Sequence, residues 1–188
     1  MSRWEPNARG RLAQASLELY IERGFEQTTV AEIAQRAGLT ERTFFRYFVD
    51  KREVLFWGAS TLQELLVTVV AEAPTTATPI EAIATALESA GAFLGENRAH
   101  SQVRQRVIDA NTELKERELI KLATLAAAMA DALRQRGVKD PTASLAAEVG
   151  IAVFRIAFDQ WVHGTGDSDL AHLMRESLTE LKAVTAGD

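Results

Sequence analysis

The chain contains no cysteine among its 188 residues, and only three histidines. The lack of cysteine excludes disulfide frameworks, thiolate nucleophiles and cysteine-based zinc sites, and it is compatible with a reducing cytoplasm. The histidines are scattered, and no Ser/His/Asp set, glycine-rich phosphate loop or pair of carboxylates is evident. We therefore expect neither an enzyme nor a bound metal or other cofactor.

Long apolar runs are also scarce. We find none that approaches the roughly 18 residues of a membrane span, and the first residues lack the apolar core of a signal peptide. Hydrophobic residues nevertheless make up 47% of the chain, and the mean hydropathy is −0.07. This composition predicts a globular protein with a substantial core, and we expect it in the cytoplasm rather than in a membrane.

The net charge of −5 is unevenly distributed. Residues 1–52 carry nine Lys/Arg against seven Asp/Glu, whereas residues 53–188 carry twelve against nineteen. Contacts with nucleic-acid phosphates need local rather than global positive charge. The distribution therefore suits a small DNA-facing domain on an acidic body.

Helical periodicity runs through almost the whole chain, and alternating β-branched residues are absent. The sequence predicts an all-α protein of about nine helices. Capping boxes at Thr29, Asp50 and Thr78, each with glutamate three residues later, predict three helix starts. We divide the chain into an N-terminal three-helix domain, residues 1–50, and a C-terminal helical domain, residues 51–188, with a connecting fourth helix at about 51–72.

The stretch Thr28–Lys51 predicts a helix-turn-helix, in which the second helix lies in the major groove. Phe44 and Phe48 are four residues apart and should fill the core, so Phe45 and Tyr47 should point away from it. Arginine can donate two hydrogen bonds to guanine, glutamate can accept from cytosine, and a threonine methyl can touch thymine. The candidate base contacts are Glu41, Arg42, Thr43, Phe45 and Arg46. The candidate phosphate contacts are Thr28, Thr29, Thr40, Tyr47 and Lys51.

These residues carry a resemblance to a known family. The segment GFEQTTVAEIAQRAGLTERTFFRYFVDKREVL, within a match over roughly residues 8–57, resembles the DNA-binding segment of the TetR family of bacterial transcriptional repressors. The resemblance implies that Glu41, Arg42, Thr43 and Phe45 contact bases and that Thr29, Thr40, Tyr47 and Lys51 contact phosphates. Position 45 is more often tyrosine in the family, so the phenylalanine here keeps only the apolar contact.

The resemblance also implies the architecture and function. It implies a two-domain homodimer, paired through helices at about 141–163 and 168–184, that binds a palindromic operator as a sequence-specific repressor and is released by a small, largely apolar effector. The implied effector pocket would be lined by Phe56, Trp57, Phe93, Met129, Phe154, Phe158 and Trp161. A plain core role for these side chains stays open, as do the direction of the ligand response and the alternative of a helical adaptor without a small-molecule ligand.

Overall fold

The computed structural model describes residues 7–186, and within that range it contains nine α-helices, one short 3-10 helix and no strand. The α-helices are α1 (Ala8–Arg23), α2 (Val30–Arg36), α3 (Glu41–Tyr47), α4 (Ala59–Glu72), α5 (Pro79–Gly95), α6 (Arg98–Asp109), α7 (Thr112–Gln135), α8 (Thr142–His163) and α9 (Leu170–Ala186). The prediction of an all-α fold is confirmed.

The chain divides into two compact units. The first contains the described residues up to Trp57 together with Val103–Glu116, and the second contains Gly58–Gln102 and the residues from Arg117 onward. Helix α6 therefore contributes its first turn to the second unit and its remainder to the first. A single boundary between residues 50 and 51, as drawn from the sequence, does not describe a helix that belongs to both units.

The first unit is built around α1, α2 and α3. Thr29 forms the predicted capping box with Glu32, and Thr40 caps α3 by accepting a hydrogen bond from the backbone N of Thr43. Phe44 and Phe48 are buried, with 0% and 4% of their surface exposed. Because the caps satisfy the first backbone N–H groups of the two short helices, the helices begin at defined residues.

The predicted fourth helix is wrong in its extent, because it is broken. Asp50 accepts hydrogen bonds from the backbone N of Arg52 and Glu53, but the segment that follows is a 3-10 helix, Glu53–Phe56, and α4 begins only at Ala59. The Leu55 carbonyl accepts a hydrogen bond of 2.6 Å from Arg104 of α6 instead of continuing an α-helical ladder. Glycine at position 58 also disfavours a continuous helix.

The expectation about apolar runs also needs correction, since Glu53–Glu72 is long and apolar enough to meet the length and composition test for a membrane span. The core helix of a globular protein can meet the same test. In the second unit, α4 buries Leu62, Leu66 and Val70 in the core. Of the apolar window, 33% is buried, and one such segment is weak evidence of a membrane span.

The second unit places α5, α8 and α9 around a shared apolar core to which α4 and α7 contribute. Helix α5 begins with the predicted capping box of Thr78 and Glu81, with proline in its first turn. Helix α9 begins at Leu170, two residues after the predicted start at about 168, and Asp169 accepts a hydrogen bond from the backbone N of His172 in its first turn.

Candidate DNA-binding surface

The side chains of helix α3 differ in how much of their surface is exposed. Glu41 and Arg42 are exposed in its first turn, Thr43 is half-buried, and Phe45 has 56% of its surface exposed while its neighbour Phe44 has none. The alternation arises because Phe44 packs inward and helical geometry rotates the next residue by about 100°. The predicted outward direction of Phe45 is therefore confirmed.

The turn between α2 and α3 is held from α1. Gly38 has a φ of +67°, in the left-handed region that favours glycine, and Arg11 donates a hydrogen bond from Nη2 to the Ala37 carbonyl. A Cβ at position 38 would lie 2.9 Å from that nitrogen. Arg11 thus positions the turn, a role that the residues next to it in the sequence do not predict.

The arginines of the first unit are mostly engaged in intramolecular contacts. Arg23 pairs with Glu32 at 2.7 Å and Arg36 with Glu22 at 2.7 Å, and Arg52 pairs with both Asp50 and Glu113. Hydrogen bonds from Arg36 lower the pKa of the Glu22 carboxyl. These cations are already balanced by carboxylates of the same unit.

Arg42 differs from these arginines. Its side chain is exposed, and it makes no hydrogen bond or ion pair with any residue between 7 and 186. Because the Arg42 guanidinium is not held in an internal ion pair, it can contact a DNA base without breaking one. The neighbouring Arg46 is instead directed to Tyr47, with its Nη2 3.1 Å from the phenol oxygen and its guanidinium carbon 4.9 Å from the ring centroid.

Two of the predicted phosphate contacts are engaged elsewhere. Thr28 is buried, with 1% of its surface exposed, and its hydroxyl donates to the Gly24 carbonyl at 2.9 Å. The structure therefore contradicts a phosphate contact from the Thr28 side chain. Thr29 is exposed, but its hydroxyl donates to Glu32 at 2.9 Å, and hydrogen bonds from Thr29 lower the pKa of the Glu32 carboxyl.

Lys51, another predicted phosphate contact, donates hydrogen bonds to several backbone carbonyls. Its Nζ donates to the backbone carbonyls of Phe25 at 2.8 Å, Thr28 at 3.0 Å and Glu26 at 3.3 Å. The same nitrogen lies 4.4 Å from the centroid of the Phe25 ring. An ammonium has three N–H donors, and all three are directed at the loop between α1 and α2. In this structure Lys51 holds that loop, and its phosphate contact stays a prediction.

The Lys51 backbone joins the same arrangement. The phenol of Tyr20 donates to the Lys51 carbonyl at 2.6 Å, and the Tyr20 and Phe25 rings meet edge to face with centroids 5.2 Å apart. Burial raises the pKa of the Tyr20 phenol well above its usual range. Tyr20 therefore stays a neutral hydrogen-bond donor, and it ties the end of α1 to Lys51, four positions after α3.

The predicted effector-pocket residues are distributed over the two units. Phe56 and Trp57 belong to the first, and the other five belong to the second. On α8 the rings of Phe154, Phe158 and Trp161 form a row with successive centroids 5.7 and 5.8 Å apart. Met129, Phe154 and Trp161 are buried in the core of the second unit, whereas Phe93 is 41% exposed. Their role in binding an effector stays a prediction.

Two family models match this chain. Residues 12–56 match the model described as bacterial regulatory proteins, tetR family, and residues 77–186 match the model described as MftR C-terminal domain. The transcriptional regulator TcmR of Streptomyces glaucescens is 33% identical over 81 residues, which are 43% of this chain and 36% of that protein. The match thus spans about a third of the length of this curated relative.

Solved structures have the same fold. FadR from Bacillus subtilis, determined with stearoyl-CoA, is 22% identical to this chain and has a TM-score of 0.63. The match covers 92% of this chain and 96% of that protein. FadR from Thermus thermophilus, a repressor determined with lauroyl-CoA, is 25% identical, with a TM-score of 0.50 and 92% of both chains covered. The C-terminal model alone spans more than half of the chain, and the N-terminal model covers the helix-turn-helix. The chain therefore belongs to the TetR family of bacterial regulatory proteins.

Proposed function

We propose that the protein is a cytoplasmic repressor that binds a palindromic operator as a homodimer and is released from it by a small, largely apolar effector. The observation that carries the DNA-binding part is the exposed guanidinium of Arg42, without a partner among the described residues, in the first turn of α3. A bidentate arginine contact to guanine contributes about 1–3 kcal/mol of discrimination. The proposed base contacts are Glu41, Arg42, Thr43, Phe45 and Arg46.

Of the predicted phosphate contacts we propose Thr29, Thr40 and Tyr47, and we propose that Lys51 instead acts on the loop between α1 and α2. Thr40 is exposed at the start of α3, and Tyr47 is half-buried at its end, so the two hydroxyls flank the proposed base contacts. Val49 joins this surface as a residue that the sequence motif did not single out, since 83% of its surface is exposed directly after α3. Apolar contact with a sugar or a thymine methyl would explain an exposed valine there.

The second unit supports a homodimer. Helices α8 and α9 each carry a stripe of exposed or half-buried residues, mostly apolar, at helical spacing. The stripes consist of Leu145, Val149, Ala152 and Ile156 on α8, and of Leu173, Ser177, Leu181 and Val184 on α9. Leu145 is 61% exposed and Ile156 is 52% exposed, which is unfavourable in water and favours burial against a second copy. A dimer presents two recognition helices to half-sites about 34–36 Å apart.

The effector part rests on relatives and on composition. The Thermus thermophilus repressor was determined with lauroyl-CoA, a ligand with a long apolar chain. The aromatic row on α8 offers apolar surface for such a ligand if the core opens around it. This part of the proposal is separate from DNA binding, because a repressor can read its operator without an effector.

A gel shift with promoter DNA of the protein's own gene tests the proposal. We expect a shifted band at low salt that is competed by the same DNA and not by unrelated DNA. Arg42→Ala should lose preference at one base pair of each half-site, whereas Arg175→Ala, on α9, should leave base preference unchanged. The absence of any shift at low salt, or equal loss of preference in both variants, would contradict the proposed reading role of α3.

A further inference from the structure

A cleft of about 420 Å³ lies within the first unit. One side is formed by the end of α1 and the loop that follows it, including Tyr20, Ile21 and Phe25. The other side is formed by the end of α6 and the residues directly after it, including Val107 and Ala110. This volume is in the range of small-molecule sites, which is about 300–1,000 Å³. The cleft contains none of the seven residues predicted to line an effector pocket.

The cleft has a buried apolar floor and an exposed rim. Phe25, Tyr20 and Val107 have 2%, 3% and 7% of their surface exposed, so the floor is formed by core residues. Ile21 at the rim is 59% exposed, although its side chain contributes to the lining. A ligand that covered Ile21 would remove apolar surface from water, which is favourable.

The charged residues of the lining are of opposite sign. Glu26 and Arg106 both line the cleft, so the lining carries no net charge. Gln27 and Asn111 also line the cleft, and the Asn111 side-chain amide donates to the Val107 carbonyl at 2.7 Å. An apolar floor with a few polar groups at the rim suits a compact neutral molecule, with an aromatic ring or a short aliphatic chain and one hydrogen-bonding group.

A protein partner fits the cleft less well than a small molecule. Stable protein interfaces bury about 1,200–2,000 Å² and have an apolar centre. The exposed large hydrophobic residues in the described part of the first unit are Ile21, Phe45, Val49 and Trp57. Only Ile21 lines the cleft, so the rim lacks the apolar area that a protein interface would require.

The floor of the cleft is also part of the loop that Lys51 holds. Phe25 and Glu26 both line the cleft, and their backbone carbonyls both accept hydrogen bonds from the Lys51 ammonium. Displacement of this loop would change the acceptors of a residue that lies four positions after α3. We propose that the cleft is a binding site for a compact neutral apolar molecule and that its occupancy alters operator affinity through the loop at Phe25 and Glu26.

Fluorescence titration of the full chain with N-phenyl-1-naphthylamine, a neutral apolar dye, tests the site. We expect saturable binding to the unmodified protein and at least tenfold weaker binding to Ala110→Trp, in which the indole occupies the cleft. Ile21→Gln should weaken binding about fivefold. Ile120→Gln is a matched control on α7, because Ile120 is 57% exposed and lies outside the cleft, and it should change binding less than twofold.

Three results would overturn the proposal. Equal binding by Ala110→Trp and the unmodified protein would place the dye elsewhere, as would equal effects of the two isoleucine substitutions. If Ala110→Trp does not fold, the isoleucine pair decides, since both side chains are exposed. Dye that binds in the cleft but changes operator affinity less than twofold would refute the coupling.

The coupling rests on the proposed function, and the two can fail separately. Operator affinity is measured by anisotropy of labelled promoter DNA with and without saturating dye. We expect a change of at least fivefold for the unmodified protein and none for Ala110→Trp. If the dye-free protein does not bind the DNA at all, the proposed function fails, while the dye titration still decides whether the cleft is a binding site.

Discussion

Replacement of Lys51 by methionine separates a residue that holds a loop from one that contacts phosphate. Methionine keeps most of the side-chain length but leaves the carbonyls of Phe25, Glu26 and Thr28 without this donor. Hydrogen bonds involving charged groups contribute about 1.5–3 kcal/mol each, but this loop is partly exposed and water can replace part of the loss. We expect Lys51→Met to lower the free energy of unfolding by about 1–3 kcal/mol.

Thermal unfolding and the salt dependence of operator binding measure the two roles. A loss of this size lowers the Tm of a chain of 150–250 residues by about 2–12 °C. Each phosphate contact contributes about 0.9 to the slope of log K against log salt, so a dimer that lost two such contacts would change its slope by about 2. We expect weaker binding of all DNA with an unchanged slope.

Lys115→Met is the matched control, because Lys115 is an exposed lysine in the first turn of α7 and belongs to the same compact unit. It removes the same charge without affecting the loop at Phe25, so we expect an unchanged Tm. A slope change near 2 for Lys51→Met, together with an unchanged Tm, would refute the loop-holding role. It would restore Lys51 to the phosphate contacts.

Three further predictions concern the second unit. Gly91→Ala places a Cβ 2.7 Å from the backbone of α9 and should lower the free energy of unfolding by about 1–3 kcal/mol in denaturant unfolding. Gly95→Ala in the same helix should not, since the nearest neighbour of its Cβ, Asp169, would be 3.9 Å away. Hydrogen bonds from Arg134 lower the pKa of Asp140 to about 2. Arg134→Gln should therefore raise the pKa of Asp140 toward its ordinary value in an NMR titration. The pair stabilises the folded state above the unfolded pKa of Asp140, and this stabilisation is lost as the pH falls toward 2. Ile156→Arg should convert the proposed dimer to a monomer in sedimentation at micromolar concentration, and a dimer that persisted would move the interface away from α8.

Local signals in the sequence predicted helix starts in both units. The capping boxes at Thr29 and Thr78 are present in the structure, because each bond joins residues only three apart. The pair Phe44 and Phe48 is buried as helical spacing requires. The same local reasoning failed at helix four, where the Leu55 carbonyl bonds to Arg104, which is 49 residues away.

The sequence by itself determined the helical class, the recognition helix and the outward direction of Phe45, because these depend on periodicity and on neighbours within one or two turns. Only the tertiary structure decided that the side chains of Lys51 and Thr28 donate to backbone carbonyls, that Arg11 holds the turn and that Arg42 has no internal partner among the described residues. The acceptors of Lys51 lie 23 to 26 positions earlier in the chain. A side chain's charge can be read from the sequence, but its partner depends on which distant backbone the fold brings within hydrogen-bonding distance.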